Sequence, residues 1–198
     1  MTGNMKGVCV FCGANPGNRP EYADAARTLG HAIAARGLNL VYGGGKVGLM
    51  GVVADAALEG GARVDGVIPE NLMNRELGHG SVTQLHVVGS MHERKAMMAE
   101  LSDGFVVLPG GFGTLEEAFE VLTWGQLGLH RKGVVFLDVD GFWSRLFDMI
   151  RGMEAEGFVR PEHGMIAMRA DTPEQALDIL ANYRPPEVTR WIERVAQA

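Results

Sequence analysis

What most constrains this chain is a rhythm: apolar runs of strand length alternate with helix-length segments along most of its 198 residues. Lys6–Phe11, Leu38–Tyr42, Arg63–Ile68, Gln84–Val88, Gly104–Leu108 and Gly133–Leu137 are the expected strands. Pro20–Arg36 is an expected amphipathic helix that stops at Gly37. A second helix follows the glycine turn after Tyr42 and runs to about Glu59, and Thr172–Ala181 forms a late one. Helical patterns also follow the strands that begin at Gln84, Gly104 and Gly133. Alternation of this kind implies parallel strands with crossover helices on both faces of the sheet. The strands are nearly continuous in Val, Leu, Ile and Phe, as strands buried on both faces are. The expected fold is α/β, with three layers and a parallel sheet flanked by helices. Such sheets bind ligands at the C-terminal ends of their strands, near a switch in strand order.

The length suits one domain, residues 1–198, in which Pro185-Pro186 sets off a C-terminal extension of about 185–198. A polar stretch, Pro69–Ser81, is long enough to be a functional loop. The net charge is −6, and no Lys/Arg run is long enough to track a nucleic-acid backbone, so no nucleic-acid partner is expected. Met1–Gly7 lacks the apolar stretch of a signal peptide and no run approaches membrane-spanning length, so the expectation is a cytoplasmic protein without a membrane partner. Cys9 and Cys12 fall on the first strand instead of at a helix N-terminus, which favours packed thiols over a redox pair. No second cysteine pair and no histidine pair at helical spacing is present, so no metal and no cofactor is expected.

Glycine supplies the chemistry. The chain holds 28 of them, clustered where strands end, as turns built for close approach are. The most informative cluster is Pro109-Gly110-Gly111-Phe112-Gly113-Thr114, which follows an apolar strand and opens a helix. The free N–H groups of a helix's first turn favour an anion, phosphate above all, and Thr114 adds a hydroxyl. Glu117 follows three residues later, about 4.5 Å along the axis, where it could face the sugar of a nucleotide. Thr114-Leu115-Glu116-Glu117 also satisfies a capping box, in which Glu117 would merely bond back to the cap. The preceding Gly-Gly-x-Gly, which no simple cap needs, tilts the balance toward a ligand. Glu116 by itself suits a solvated first-turn acid; it is kept with Gly110 among the substrate-binding candidates because both lie in this stretch.

Two further clusters stand beside it. Ser90-Met91-His92-Glu93-Arg94-Lys95 starts another helix with a capping box, and its basic pair opposes the helix dipole. An anionic ligand or a partner carboxylate explains that placement better than a solvated surface does. Tyr42–Gly51 carries Gly43, Gly45 and Gly48 at G-x-G-x-x-G spacing, with Asp65 downstream, which keeps an NAD-dependent oxidoreductase as a rival. Against it, the motif follows the second strand and Asp65 is not clearly at a strand end; tight strand–helix packing is the plainer explanation. Asp138-Val139-Asp140-Gly141 resembles a calcium-loop opening without the rest of its ligands.

With these residues in place the chain resembles the LONELY GUY (LOG) family of cytokinin-activating phosphoribohydrolases, often labelled lysine decarboxylases. The resemblance runs from Phe11-Cys12-Gly13 to about residue 180. It is carried by P-G-G-x-G-T-x-x-E at Pro109–Glu117, by Met91–Lys95, by Tyr42–Gly51 and by Thr123–Gly128. It implies a Rossmann-like fold, a homodimer with the site near the subunit interface, and cleavage of the N-glycosidic bond of an N6-modified adenosine 5′-monophosphate. By position it implies Arg94 and Glu117 as the catalytic pair. Lys95, Gly111, Phe112, Gly113, Thr114 and Thr123 match nucleotide-contacting positions, and Glu76, by its spacing to Arg94, matches a binding acid. Ser90 stands where the family commonly has Asp, and Ala14-Asn15 where it has a Ser pair; these departures bear on substrate preference. A nucleotide-binding carrier or regulatory protein of the same fold is the non-enzyme alternative, which needs the glycine loop but not Arg94 and Glu117 together. A lysine decarboxylase would need a Schiff-base lysine, and no surrounding sequence marks one.

Overall fold

The computed structural model describes residues 5–73 and 77–186. The elements run β1 (Gly7–Phe11), α1 (Pro20–Ala35), β2 (Asn39–Tyr42), α2 (Gly48–Glu59), β3 (Val64–Pro69), β4 (Gln84–Val88) and α3 (Met91–Glu100). They continue with β5 (Gly104–Val107), α4 (Phe112–Gln126), β6 (Gly133–Leu137), α5 (Ser144–Ala155), the short α6 (Pro161–Gly164), β7 (Ala167–Ala170) and α7 (Pro173–Asn182). Every strand pairing is parallel, in the order β4-β3-β2-β1-β5-β6-β7. The expected three-layer α/β architecture is therefore present, and the fold is Rossmann-like.

The strand residues divide by parity, since successive side chains point to opposite faces. Val8 and Val10 of β1 join Leu40, Val106 and Val135 in a core closed by Leu29 and Ile33 of α1, Val53 of α2 and Leu177 of α7. Cys9 and Phe11 join Val41, Phe105, Val107 and Phe136 in a second core, closed by Met98 of α3, Val121 of α4 and Trp143 ahead of α5. Each large apolar side chain fully buried here contributes about 1.5–3 kcal/mol. Gly37, at φ +66°, follows the C-cap Arg36 and accounts for the end of α1 at Ala35.

β7 has no counterpart among the six expected strands. Ala-Met-Arg-Ala contains no β-branched or aromatic residue, and it pairs with β6 alone at the sheet edge, so tertiary packing makes it a strand. The helix after β5 also starts earlier than the capping-box pattern suggests. Gly111 is its cap and Thr114 lies inside its first turn, with no side-chain cap bond. No described helix is long and apolar enough to cross a membrane.

Candidate active site

Strand order progresses outward from β1 to β4, and β5 then returns to the other side of β1. The connections leaving β1 and β5 therefore diverge and leave a crevice between them. A cleft of about 460 Å³ occupies it, lined by Cys12–Gly17 after β1, Pro109–Gly111, Gly113 and Thr114 after β5, and Gly43 after β2. The two loops are stitched together beneath the cleft: Gly13 N–H donates to the Pro109 carbonyl at 3.1 Å and Leu108 N–H to Phe11 at 2.9 Å. Gly110 has no room for a Cβ, which would fall 2.1 Å from Thr114 Oγ1 and 2.9 Å from Gly13 N. Gly111 and Gly113 differ: a Cβ on either would meet nothing within 4 Å. Both line the cleft where the first N–H groups of α4 have no helical acceptor, so an anion can approach the backbone directly.

Glu117 and Arg94 form the charged part of the cleft wall. Glu117, in the second turn of α4, is 9% exposed and Arg94 only 4%. Arg94 Nη2 lies 3.9 Å from Glu117 Oε1 and donates to the Gly43 carbonyl at 3.0 Å. The first turn of α3 that carries Arg94 is fixed by a variant of the expected capping box, in which the return bond falls on Gly89, one residue before the cap. Ser90 Oγ accepts from Glu93 N–H at 3.2 Å, and the Glu93 carboxylate accepts from Gly89 N–H at 2.8 Å. By contrast, Thr114–Glu117 forms no capping box, because the helix begins before Thr114; Glu117 is turned to the cleft instead.

Lys95 is buried beside Arg94 but outside the cleft lining. Its ammonium sits between Glu116 and Glu120 of α4, the latter at 3.0 Å. Burial alone would depress its pKa, yet the hydrogen bonds it donates to the two carboxylates outweigh that and raise it, so it stays charged. The two acids are one helical turn apart and share a face, whereas Glu117 is rotated about 100° from Glu116. Phe112 is 93% exposed outside the cleft lining, and Thr123 Oγ1 donates to the Phe119 carbonyl at 2.7 Å within α4. Glu76 lies outside the described residues. The site candidates brought together in one cleft are thus Arg94, Gly110, Gly111, Gly113, Thr114, Glu116 and Glu117.

In the rest of the wall, Tyr22, Leu72 and Phe142 belong to no sequence motif, whereas Leu49, Met50 and Met91 fall within the stretches Tyr42–Gly51 and Met91–Lys95. Together they make the wall apolar, and the Tyr22 and Phe142 rings meet edge to face at 5.6 Å. Arg19 pairs with Asp140 and lies over the Tyr22 ring, so the loops after β1 and β6 meet beside the cleft. Asp140 (φ +50°) and Gly141 (φ +75°) bend that second loop, which accounts for the Asp-x-Asp-Gly sequence as a tight turn. Cys12 lines the cleft and Cys9 lies in the core behind it; neither forms a disulfide, and burial followed by the nearby Glu117 charge pushes the Cys9 pKa well up. Asp65, the acid that a dinucleotide fingerprint would place on a ribose, lies near the start of β3, away from the ligand end of the sheet. Its carboxylate is held by Arg63 at 2.8 Å and His86 at 3.1 Å. Burial alone would raise its pKa, but those hydrogen bonds win and lower it.

Comparison with known proteins places this cleft in context. Residues 50–180 match the family described as possible lysine decarboxylase. The chain is 49% identical over 178 residues to a probable cytokinin riboside 5′-monophosphate phosphoribohydrolase of Oryza sativa subsp. japonica, spanning 90% of this chain and 73% of that protein. A cytokinin riboside 5′-monophosphate phosphoribohydrolase of Arabidopsis thaliana is 47% identical over 178 residues, 90% of this chain and 83% of its own. Among solved structures, the molybdenum cofactor carrier protein of Chlamydomonas reinhardtii has a TM-score of 0.65 at 21% identity, covering 87% of this chain and 94% of that one. At that identity the likeness is one of fold alone.

Proposed function

The chain belongs to the family of cytokinin riboside 5′-monophosphate phosphoribohydrolases, and from that premise we propose how its cleft works. The enzyme hydrolyses the N-glycosidic bond of an N6-modified adenosine 5′-monophosphate to the free base and ribose 5-phosphate. The 5′-phosphate rests on the N–H groups of Gly111–Thr114 at the start of α4. Breaking the bond from C1′ to the base leaves the electron pair on the base, which takes a proton, while positive charge builds on the ribose. The Glu117 carboxylate faces that charge and orients the water whose oxygen bonds to C1′, and the proton this water gives up balances the one the departing base takes. Stabilisation of this kind acts on the transition state more than on the ground state. Arg94 positions Glu117 and binds the nucleotide's anionic side.

The observation that carries this assignment is the buried Arg94–Glu117 pair at 3.9 Å in the wall of the cleft that also holds the phosphate-type helix start. Lysine decarboxylation by a Schiff base requires a neutral amine. Lys95 is instead kept as an ammonium by two carboxylates. The decisive experiment incubates purified protein with AMP and with isopentenyl-AMP and separates free base by chromatography. Base release, faster from the prenylated nucleotide, is expected; release from neither would overturn the assignment.

The enzyme acts as a homodimer. Support comes from exposed apolar side chains: Phe112, Leu127, Leu129, Met149, Phe158 and Met165 belong to α4, α5 and the segments after them, while Leu77, Val87, Met91, Leu101 and Phe142 are exposed elsewhere. A second copy on the side of α4 and α5 would cover the former group and bring α4, with Phe112 and Thr123, to the interface. Light scattering on the purified protein should give twice the 21.3 kDa chain mass.

A further inference from the structure

We infer that Gly43 is the seat of the catalytic arginine, and that the glycine-rich turn after β2 serves Arg94 instead of a phosphate. The inference rests on the roles proposed above for Arg94 and Glu117. Gly43 follows the last residue of β2 and lines the cleft with them. Its carbonyl accepts from Arg94 Nη2 at 3.0 Å, on the same nitrogen that lies 3.9 Å from Glu117. The space where a side chain would stand is taken by that guanidinium. A Cβ on Gly43 would fall 2.0 Å from Nη2 and 3.2 Å from both Cζ and the Met50 sulfur.

Two features make this a positioning device and not ordinary tight packing. One carbonyl and one empty position fix the guanidinium from two directions, so its plane and its reach toward Glu117 are set together. The colliding atom is also the far end of a long side chain. A methyl group at position 43 can therefore be accommodated by moving the guanidinium, leaving the backbone in place. Gly30 shows the contrary case, because there a Cβ would meet the Val53 carbonyl of α2 at 2.6 Å. Its substitution should force the helices apart.

The test is a square of four proteins: wild type, Gly43→Ala, Arg94→Lys and the double variant. Lysine keeps the charge but lacks the planar fork that occupies the seat. Gly43→Ala should lower kcat by about 10²-fold, as expected for displacement of a catalytic group by roughly an ångström, and leave KM within about threefold. Any cost of Gly43→Ala, in turnover or in thermal stability, should vanish in the Arg94→Lys background, and a structure of Gly43→Ala should show the guanidinium displaced. A wild-type kcat for Gly43→Ala, the same cost in both backgrounds, or an unmoved guanidinium would each overturn the seat. If Arg94→Ala retains full turnover, what fails is the catalytic role of Arg94, while the displacement seen in the Gly43→Ala structure still decides whether the seat exists.

Discussion

Two glycine-rich turns leave the C-terminal end of the sheet and border one cleft, and their glycines make room for different things. After β5, Gly111 and Gly113 border open space in the cleft. After β2, Gly43 abuts Arg94, and a Cβ on Gly44, at φ +76°, would fall 3.1 Å from the side chains of Ile68 and Leu85. Gly48, at φ +58°, would place a Cβ 2.3 Å from the Ala14 backbone carbon. Gly111 and Gly113 exclude side chains where a ligand can approach; Gly43, Gly44 and Gly48, like Gly110, do so because protein is already there. A glycine pattern therefore states that something comes close, and only the neighbouring atoms say what.

The difference can be tested at graded cost. The largest effect should come at the ligand-facing turn, where Glu117→Gln keeps the shape of the side chain and removes its charge. We expect kcat to fall about 10²–10³-fold, with nucleotide binding measured by calorimetry little changed. Wild-type turnover in that variant would remove Glu117 from the chemistry. In the protein-facing turn, Gly48→Ala should act on folding, combining a left-handed backbone with a backbone overlap. A loss of about 2 kcal/mol or more, roughly 5 °C in the melting temperature, is expected. Gly111→Ala should invert that pattern, raising KM about tenfold while the melting temperature stays within about 2 °C. A large loss of stability there would erase the distinction between the turns.

The smallest effect concerns Asp65, which the protein-facing turn would need as a ribose acid if it held a dinucleotide. Asp65→Asn should leave turnover unchanged. Because the folded-state pKa is lowered, the carboxylate's contribution is complete above its unfolded value, about 3.9, and fades as pH falls through the folded one. The variant should therefore melt below wild type near neutrality, with the gap closing toward pH 3.

Much of this was legible in the sequence because parallel sheets write themselves as apolar runs separated by helices. Six strands and the helices Pro20–Ala35 and Gly48–Glu59 sit within a residue or two of expectation. β7 was not legible, since an edge strand of Ala, Met and Arg owes its conformation to β6. The loop after β5 and the residues Arg94 and Glu117 were legible as a motif, and one cleft gathers them. That Glu117 is not a cap depends on where the helix starts, which Thr-x-x-Glu alone misplaces by three residues. The apolar wall of Leu72, Tyr22 and Phe142 comes from three separate segments, so no local pattern could announce it. The sequence leaves Lys95 between an anionic ligand and a partner carboxylate, because the acids that hold it are some twenty residues away.

Those acids have a mechanical consequence. Arg94 and Lys95 are neighbours on α3, and Glu116, Glu117 and Glu120 lie within two turns of α4. The Lys95 tie acts as a splint beside the working pair, pinning one helix to the other at the height where Arg94 faces Glu117. If α3 and α4 shift against the sheet as a ligand enters, they shift together. The gap across which the reaction is run stays constant while its frame moves.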